Sequence, residues 1–438
     1  MEWWVILGLL IAGLLGLMLI RMPVAFAFMT VNIVAAIFLW GPDKGLLQVV
    51  KSIDDSLTNF ALAPITLFIL MGEVMFRTGI APRMIETVDK WLGKLPGRLS
   101  ILAIGGGTLL STLTGSSAAS TAMLGSTLVP EMAKKGYKNQ MSMGPIMASG
   151  TLAVMIPPSA LGVLLASIGK ISIGKFMVAI ILPGIVMATV FMLYIYLRAK
   201  MQPELAPNYE MEPIPFGEKL KATIIYILPL GFIVFLVIGL IFLGVATPTQ
   251  SAAMGVFGTM ILAACYGRLN VKNMIESVRE TMKVSVMILM IVAGSAIFSQ
   301  ILSFSGASRN LVKIVGELQI SAFSTVLIML MLIIILGTFM ESLSILMITL
   351  PIFIPIAQML NIDLLWLAAL ILITIEIGTM SPPFGIGLFV MKGVAPPHTT
   401  MGDVYRAAFP FLALDVAVIV LIMLFPEIVT WLPNSMKH

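Results

Sequence analysis

Four short stretches of this chain place backbone breakers and hydroxyls inside otherwise apolar sequence. They are Gly115-Ser116-Ser117, Ile156-Pro157-Pro158-Ser159, Gly337-Thr338 with Glu341-Ser342, and Gly378-Thr379-Met380-Ser381-Pro382-Pro383-Phe384. Proline doublets remove backbone donors and clash with the preceding turn, so helices should stop there. Freed carbonyls and hydroxyls are the oxygen ligands a dehydrated Na⁺ wants, and half-helix N-termini present N–H groups suited to an anion. A lone Gly-Ser-Ser is usually a close-packing contact between helices, and a lone Pro-Pro is usually a kink. Matched interruptions in two halves of a chain are instead the best sequence pointer to a transporter's binding site. Glu73, Glu341, Glu376 and Asp415 add carboxylates inside or at the edge of apolar runs. Intramembrane acids are functional-site hypotheses by default, although capping or buried hydrogen bonding also accounts for them. Arg77 and Arg406 lie near span ends, where they are expected to snorkel.

Other chemistries lack their residues. No Gly-x-x-x-x-Gly-Lys-Ser/Thr loop occurs, and Gly105-Gly106-Gly107 has no lysine after it. No His-Glu-x-x-His occurs, and the two histidines, His398 and His438, sit at polar ends. Cys265 is the single cysteine, so neither an intramolecular disulfide nor a cysteine-rich metal site can form. With no nucleophile–base pair, an enzyme is not expected. Residues that would hold a prosthetic group are not found.

The elements that must position these residues follow from hydropathy. Of 438 residues, 59% are hydrophobic and 11% charged, where a soluble domain carries roughly 25% charged residues. Mean hydropathy is +1.07. Apolar runs near span length cover 3–20, 23–40, 60–76, 176–197, 224–243, 284–304 and 409–425, each able to cross a hydrocarbon core of about 30 Å as a helix. Short alternating segments of the β-barrel kind are not found. The fold class is therefore an all-α integral membrane protein. Residues 1–20 lack a positive start and a small-residue cleavage site, which reads as a retained span. The net charge of +5 fits positive loops on one membrane face better than a nucleic-acid surface.

The chain also repeats itself. Pro23 matches Pro248, Gly115 matches Gly337, Pro130 matches Pro355, Pro157-Pro158 matches Pro382-Pro383, and Pro183 matches Pro410, at an offset of about 225 residues. The predicted division is residues 1–197, a polar linker 198–221 rich in proline and charge, and residues 222–438. Each half should hold five spans and one re-entrant hairpin. The hairpins fall at about 99–130 and 321–355, and the broken helices at about 141–168 and 364–390. Lys134, Lys135 and Lys138 follow Pro130, whereas only Asp363 follows Pro355. Positive loops face the cytoplasm, so the two halves should have inverted topology, with a cytoplasmic linker and both termini outside.

At these motifs the sequence resembles the large membrane subunit of the tripartite ATP-independent periplasmic (TRAP) transporters. The most specific stretches are Gly115–Ser120, Gly125–Pro130, Lys134–Tyr137, Ile156–Ser159, Leu350–Pro355 and Glu376–Phe389. The resemblance implies an elevator-type transporter in a bacterial or archaeal inner membrane, with a transport domain sliding against a scaffold. It implies two partners, a separate small four-helix membrane subunit and a periplasmic substrate-binding protein, and a small organic acid as solute. Carried over by motif, one Na⁺ would sit among Ser116, Ser117, Ile156, Pro157 and Ser159. A second would sit among Gly337, Gly378, Ser381 and Phe384. The substrate would lie near Gly115, Ser116, Ser117, Pro158, Thr338, Ser342 and Pro383. A self-sufficient carrier of the divalent-anion or citrate type is the alternative.

Overall fold

The computed structural model describes residues 2–20, 22–114, 117–207 and 214–436, and all regular structure among them is helical. Gly115 and Ser116, central to the expected first tip, lie outside the described residues. The first half runs α1 (Trp3–Leu19), α2 (Val24–Trp40), α3 (Pro42–Leu57), α4 (Ala63–Arg77), α5 (Ile80–Leu92), α6 (Arg98–Thr114), α7 (Ser117–Lys134), α8 (Asn139–Val154), α9 (Ala160–Ile168), α10 (Ile173–Ala179) and α11 (Ile181–Met201). The second half runs α12 (Phe216–Ala222), α13 (Leu228–Phe242), α14 (Pro248–Cys265), α15 (Val271–Phe304), α16 (Ala307–Glu317), α17 (Ala322–Gly337), α18 (Ser342–Met359), α19 (Leu364–Met380), α20 (Ile386–Val394), α21 (Met401–Leu424) and α22 (Glu427–Asn434).

Length and hydropathy alone qualify five helical stretches among the described residues as membrane spans, including Val271–Phe304 and Met401–Leu424. Shorter apolar helices such as Trp3–Leu19, Val24–Trp40 and Leu364–Met380 join them. Every backbone polar group must be satisfied internally in lipid, which is why such a chain is helical throughout.

Two of these helices form the centre. In α8 each residue from Met141 to Ala153 is buried, and in α19 each residue from Leu367 to Met380 is buried. A helix apolar all round belongs inside a bundle. Neighbours approach α8 closely because small residues allow it. A Cβ added to Gly144 would meet the Ala407 carbonyl oxygen of α21 at 2.5 Å. The two short amphipathic helices, α5 and α16, are each entered through a left-handed glycine, Gly79 at φ 71° and Gly306 at φ 75°, a conformation that side chains disfavour.

Several bounds differ from the sequence reading. The first hairpin arm continues past Pro130 to Lys134, and its counterpart passes Pro355 to Met359. An interior proline costs one hydrogen bond but does not end either helix here. Helix α11 runs to Met201 and α12 begins at Phe216, so both reach into the polar stretch 198–221. Basic residues near a helix C-terminus, Arg198 and Lys200 here, favour its continuation.

Arg77 does not simply snorkel. Its guanidinium contacts Glu73 at 3.0 Å, Glu276 at 3.1 Å and Glu280 at 3.9 Å, joining α4 to α15. The amphipathic α3 was not anticipated. It rests on α15, where Gln48 Nε2 and Ser52 Oγ both donate to Gln300 Oε1 at 2.8 and 2.6 Å.

Candidate functional site

α6 and α7 form one helical pair and α17 and α18 another. Their tips approach the ends of α8 and α19, where each helix breaks. Both breaks are a proline doublet with a cis peptide bond, Pro157-Pro158 and Pro382-Pro383. After each break a short helix resumes, α9 capped by Ser159 Oγ accepting from the Gly162 N–H at 3.1 Å, and α20 beginning at Ile386. The tips are held close by small residues. A Cβ on Gly150 of α8 would lie 2.6 Å from Ser117 Cβ, and one on Gly337 would lie 2.5 Å from Gly378 Cα. Each tip therefore rests backbone-close on a broken helix.

Between them lies a cavity of about 500 Å³. The α7 end contributes Ser117, Ala118 and Thr121, and the α18 end contributes Glu341, Ser342 and Leu343. Ser159 and Ala160 come from the first break, Thr379, Met380 and Gly387 from either side of the second, and Val284, Met287 and Ile288 of α15 form a wall. Among the described lining residues there is no lysine, arginine or histidine.

Glu376 connects these parts. It is 2% exposed; Ser342 Oγ donates to its Oε1 at 2.9 Å, and the Ser117 hydroxyl bonds the same carboxylate. One side chain of α19 thus holds the tips of both hairpins. Removing a carboxylate from water is costly unless hydrogen bonds or a cation compensate. Glu341 is a like-charged neighbour, so the cavity offers two carboxylates and several hydroxyls to whatever enters it. Such a set attracts a cation. A carboxylate solute would meet hydroxyls and the N–H groups that open α7 and α18.

The residues expected for the first Na⁺ divide. Ser117 and Ser159 line the cavity, whereas Ile156 and Pro157 do not, and Pro157 and Pro158 are buried. For the second Na⁺, Gly337 and Gly378 touch each other rather than the cavity. Ser381 Oγ donates to the Ile377 carbonyl at 2.7 Å, which leaves its lone pairs free to accept. Phe384 is exposed and its ring lies 5.6 Å from that of Phe339. Of the substrate residues, Ser117 and Ser342 line the cavity. Thr338 turns back, donating to the Ile335 carbonyl at 2.7 Å. Pro383 is exposed and its carbonyl accepts from Tyr405 at 2.8 Å. The expected positions of Gly115 and Ser116 fall outside the described residues.

The site reading passed over Thr121, and it named Thr379 within the second break and Glu341 and Glu376 as intramembrane acids without assigning them to an ion or substrate site. The signal for the two acids was present, a charge inside an apolar run. Thr121 carried none, since threonine is ordinary in membrane helices. Among the described residues, no group of three or more His, Cys, Asp or Glu side chains could hold a metal ion.

Comparison with known proteins places this geometry. The sequence profile of the tripartite ATP-independent periplasmic transporter DctM component matches residues 11–428. The chain is 30% identical over 399 residues to the C4-dicarboxylate TRAP transporter large permease protein of Pseudomonas aeruginosa, covering 91% of this chain and 92% of that protein. It is 26% identical over 427 residues to the ectoine TRAP transporter large permease protein of Halomonas elongata, covering 97% and 98%. The isethionate TRAP transporter permease DctMQ of Oleidesulfovibrio alaskensis is longer, and the match spans 58% of it. Among solved structures, the YdaH transporter of Alcanivorax borkumensis superposes with a TM-score of 0.61 at 16% identity, covering 88% of this chain and 89% of that one.

Proposed function

The chain belongs to the DctM component of the tripartite ATP-independent periplasmic transporters, a transport permease and not an enzyme, and on that premise we propose that it is the large permease subunit of a Na⁺-coupled importer of a small organic acid. The observation that carries this reading is the cavity shared by both hairpin tips and both broken helices, with Glu376 bonded to each tip. A binding site at the meeting point of two equivalent substructures is what alternating access requires.

In this reading the two halves are inverted repeats, and the hairpins with their broken helices form a transport domain. That domain slides in elevator fashion against a scaffold that includes α2, α4, α14 and α15. Residues 1–197 and 222–438 are the repeats, the linker is cytoplasmic and both termini are periplasmic. One Na⁺ binds near Ser117 and Ser159 with Ser116 and the Ile156–Pro157 backbone. The other binds between the Gly337–Gly378 contact and Ser381, near the Phe384 backbone. Bound Na⁺ supplies the positive charge that the described lining lacks, so a carboxylate can enter beside Glu341 and Glu376. A four-helix small subunit and a periplasmic binding protein complete the system. The longer DctMQ relative is consistent with a second permease segment that this chain's partner would supply.

The test is reconstitution of the chain with both partners, scanning candidate acids under an inward Na⁺ gradient. Uptake should need all three proteins and Na⁺. Uptake by the chain alone would overturn the tripartite reading, and uptake indifferent to Na⁺ would overturn the coupling.

A further inference from the structure

A second cavity, of about 750 Å³, opens where the apolar helices α2 and α15 end. Trp40 closes α2 and Phe304 closes α15, and their rings meet at 5.0 Å and 61° along its edge. Aromatic residues gather at the level where a bilayer gives way to water. α3 packs on both α2 and α15 and supplies one side. Its polar groups are already ordered. Gln300 Oε1 accepts from Gln48 Nε2 at 2.8 Å and from Ser52 Oγ at 2.6 Å, so the Gln300 amide N–H groups are left to donate. Two lysines complete the lining, Lys44 in the first turn of α3 and Lys170 two residues past the end of α9. Both are exposed, and neither has an ion-pair partner among the described residues. No aspartate or glutamate is among the described lining residues. Local structure does not account for these two lysines. A cation in a first turn opposes the helix dipole. Lys170 has the left-handed φ of 53°, and the Ile171 N–H closes α9 onto the Ala166 carbonyl at 2.8 Å, a turn at which glycine is the usual choice.

We propose that this cavity is an oxyanion site, which seats a carboxylate or phosphate group between Lys44 and Lys170 with the Gln300 amide as a further donor. A carboxylate would come from the solute, and a phosphate from a lipid headgroup at the same level. Two helices lead from here to the transport cavity. α9 runs from Ser159 and Ala160 there to Lys170 here, and α15 runs from Val284 and Ile288 there to Phe304 here. In the topology proposed above, α2 and α15 end on the periplasmic side, from which the solute arrives. Lys170 follows a broken helix of the moving part and Lys44 stands with the scaffold, so an oxyanion held by both joins the two. That consequence rests on the transport reading above, whereas the binding itself does not.

Binding can be read on the purified chain in detergent, without partners or a Na⁺ gradient, as the rise in unfolding temperature while a probe is titrated. One arm adds succinate, a free dicarboxylate, and the other a short-chain phosphatidylglycerol, both at constant ionic strength. At least one should stabilise the chain saturably. Lys44→Gln and Lys170→Gln should each weaken the apparent affinity for that probe about tenfold, the loss of one charge-assisted bond. Both side chains are exposed, so neither change should unfold the chain. Lys51→Gln removes the same charge from an exposed position of α3 outside the cavity and should leave the affinity unchanged. A lysine-dependent response to succinate assigns the site to the solute, and one to phosphatidylglycerol assigns it to lipid. No response to either probe would overturn the proposal, as would a response that survives both lysine variants or falls equally with Lys51→Gln. Uptake indifferent to Na⁺ would sink the transport reading and leave this result standing.

Discussion

The two proline breaks share their local chemistry and differ in their surroundings. Pro157, Pro158 and Ser159 are buried, whereas Pro382, Pro383 and Phe384 are exposed. The first break is covered by α11, where a Cβ on Gly184 would meet the Met155 carbonyl at 2.5 Å. The second is met by Phe339 and Tyr405 and is otherwise open. Charge differs as well. The second half supplies Glu341, Glu376 and Asp415, while the position 225 residues before Glu376 (376 minus 151) is Thr151. The first break is buried and its matching position is neutral, whereas the second is exposed and follows Glu376.

The strongest test of that contrast is steric. Gly378→Ala drives a Cβ to 2.8 Å from Gly337 Cα, and Gly150→Ala drives one into Ser117. Each overpacks a contact with no movable side-chain end, at about 1–3 kcal/mol. Both should cut reconstituted uptake by about tenfold or more. A loss confined to one variant would mean that only that tip must close.

Next comes the acid. Glu376→Ala strands the Ser117 and Ser342 hydroxyls and should lower stability by about 1–3 kcal/mol, read as a thermal unfolding shift in detergent. Thr151→Val, at the matching neutral position, should cost about 1 kcal/mol or less. Equal costs would remove the claim that the second half bears the polar load.

Smaller still are the hydroxyl changes. Ser117→Ala and Ser381→Ala should each weaken apparent Na⁺ affinity by roughly 2- to 10-fold, the worth of one hydroxyl oxygen. Unchanged Na⁺ dependence in both would refute the two proposed ion sites.

The smallest effects separate the short amphipathic helices. α5 is tied to the start of α6 by Arg98, which is 4% exposed and donates from Nε to Asp89 at 2.8 Å with a second contact at 2.6 Å. α16 carries the exposed pair Lys313–Glu317 at 3.6 Å. Asp89→Asn should destabilise by about 1.5–3 kcal/mol, while Lys313→Ala should stay within about 0.5 kcal/mol. A large effect at Lys313 would show that both helices are clamped.

Much of this was legible along the chain because its causes are local. Apolar runs and proline doublets are set by neighbours a few residues away. The site was legible as a set of interruptions, and Ser117, Ser159 and Ser342 do line one cavity. The role of Glu376 was not, because its partners stand 34 residues away at Ser342 and 259 away (376 minus 117) at Ser117. The same holds for α3, whose anchor on Gln300 lies 252 residues from Gln48.

The sequence by itself determined a helical membrane chain, its interruptions and its intramembrane acids, since hydropathy and backbone chemistry act locally. Only the tertiary structure decided which hydroxyls share a cavity, which proline break is sealed and which acid joins both tips. Those depend on how closely distant helices approach, and that distance is set where Gly150 meets Ser117 and Gly337 meets Gly378.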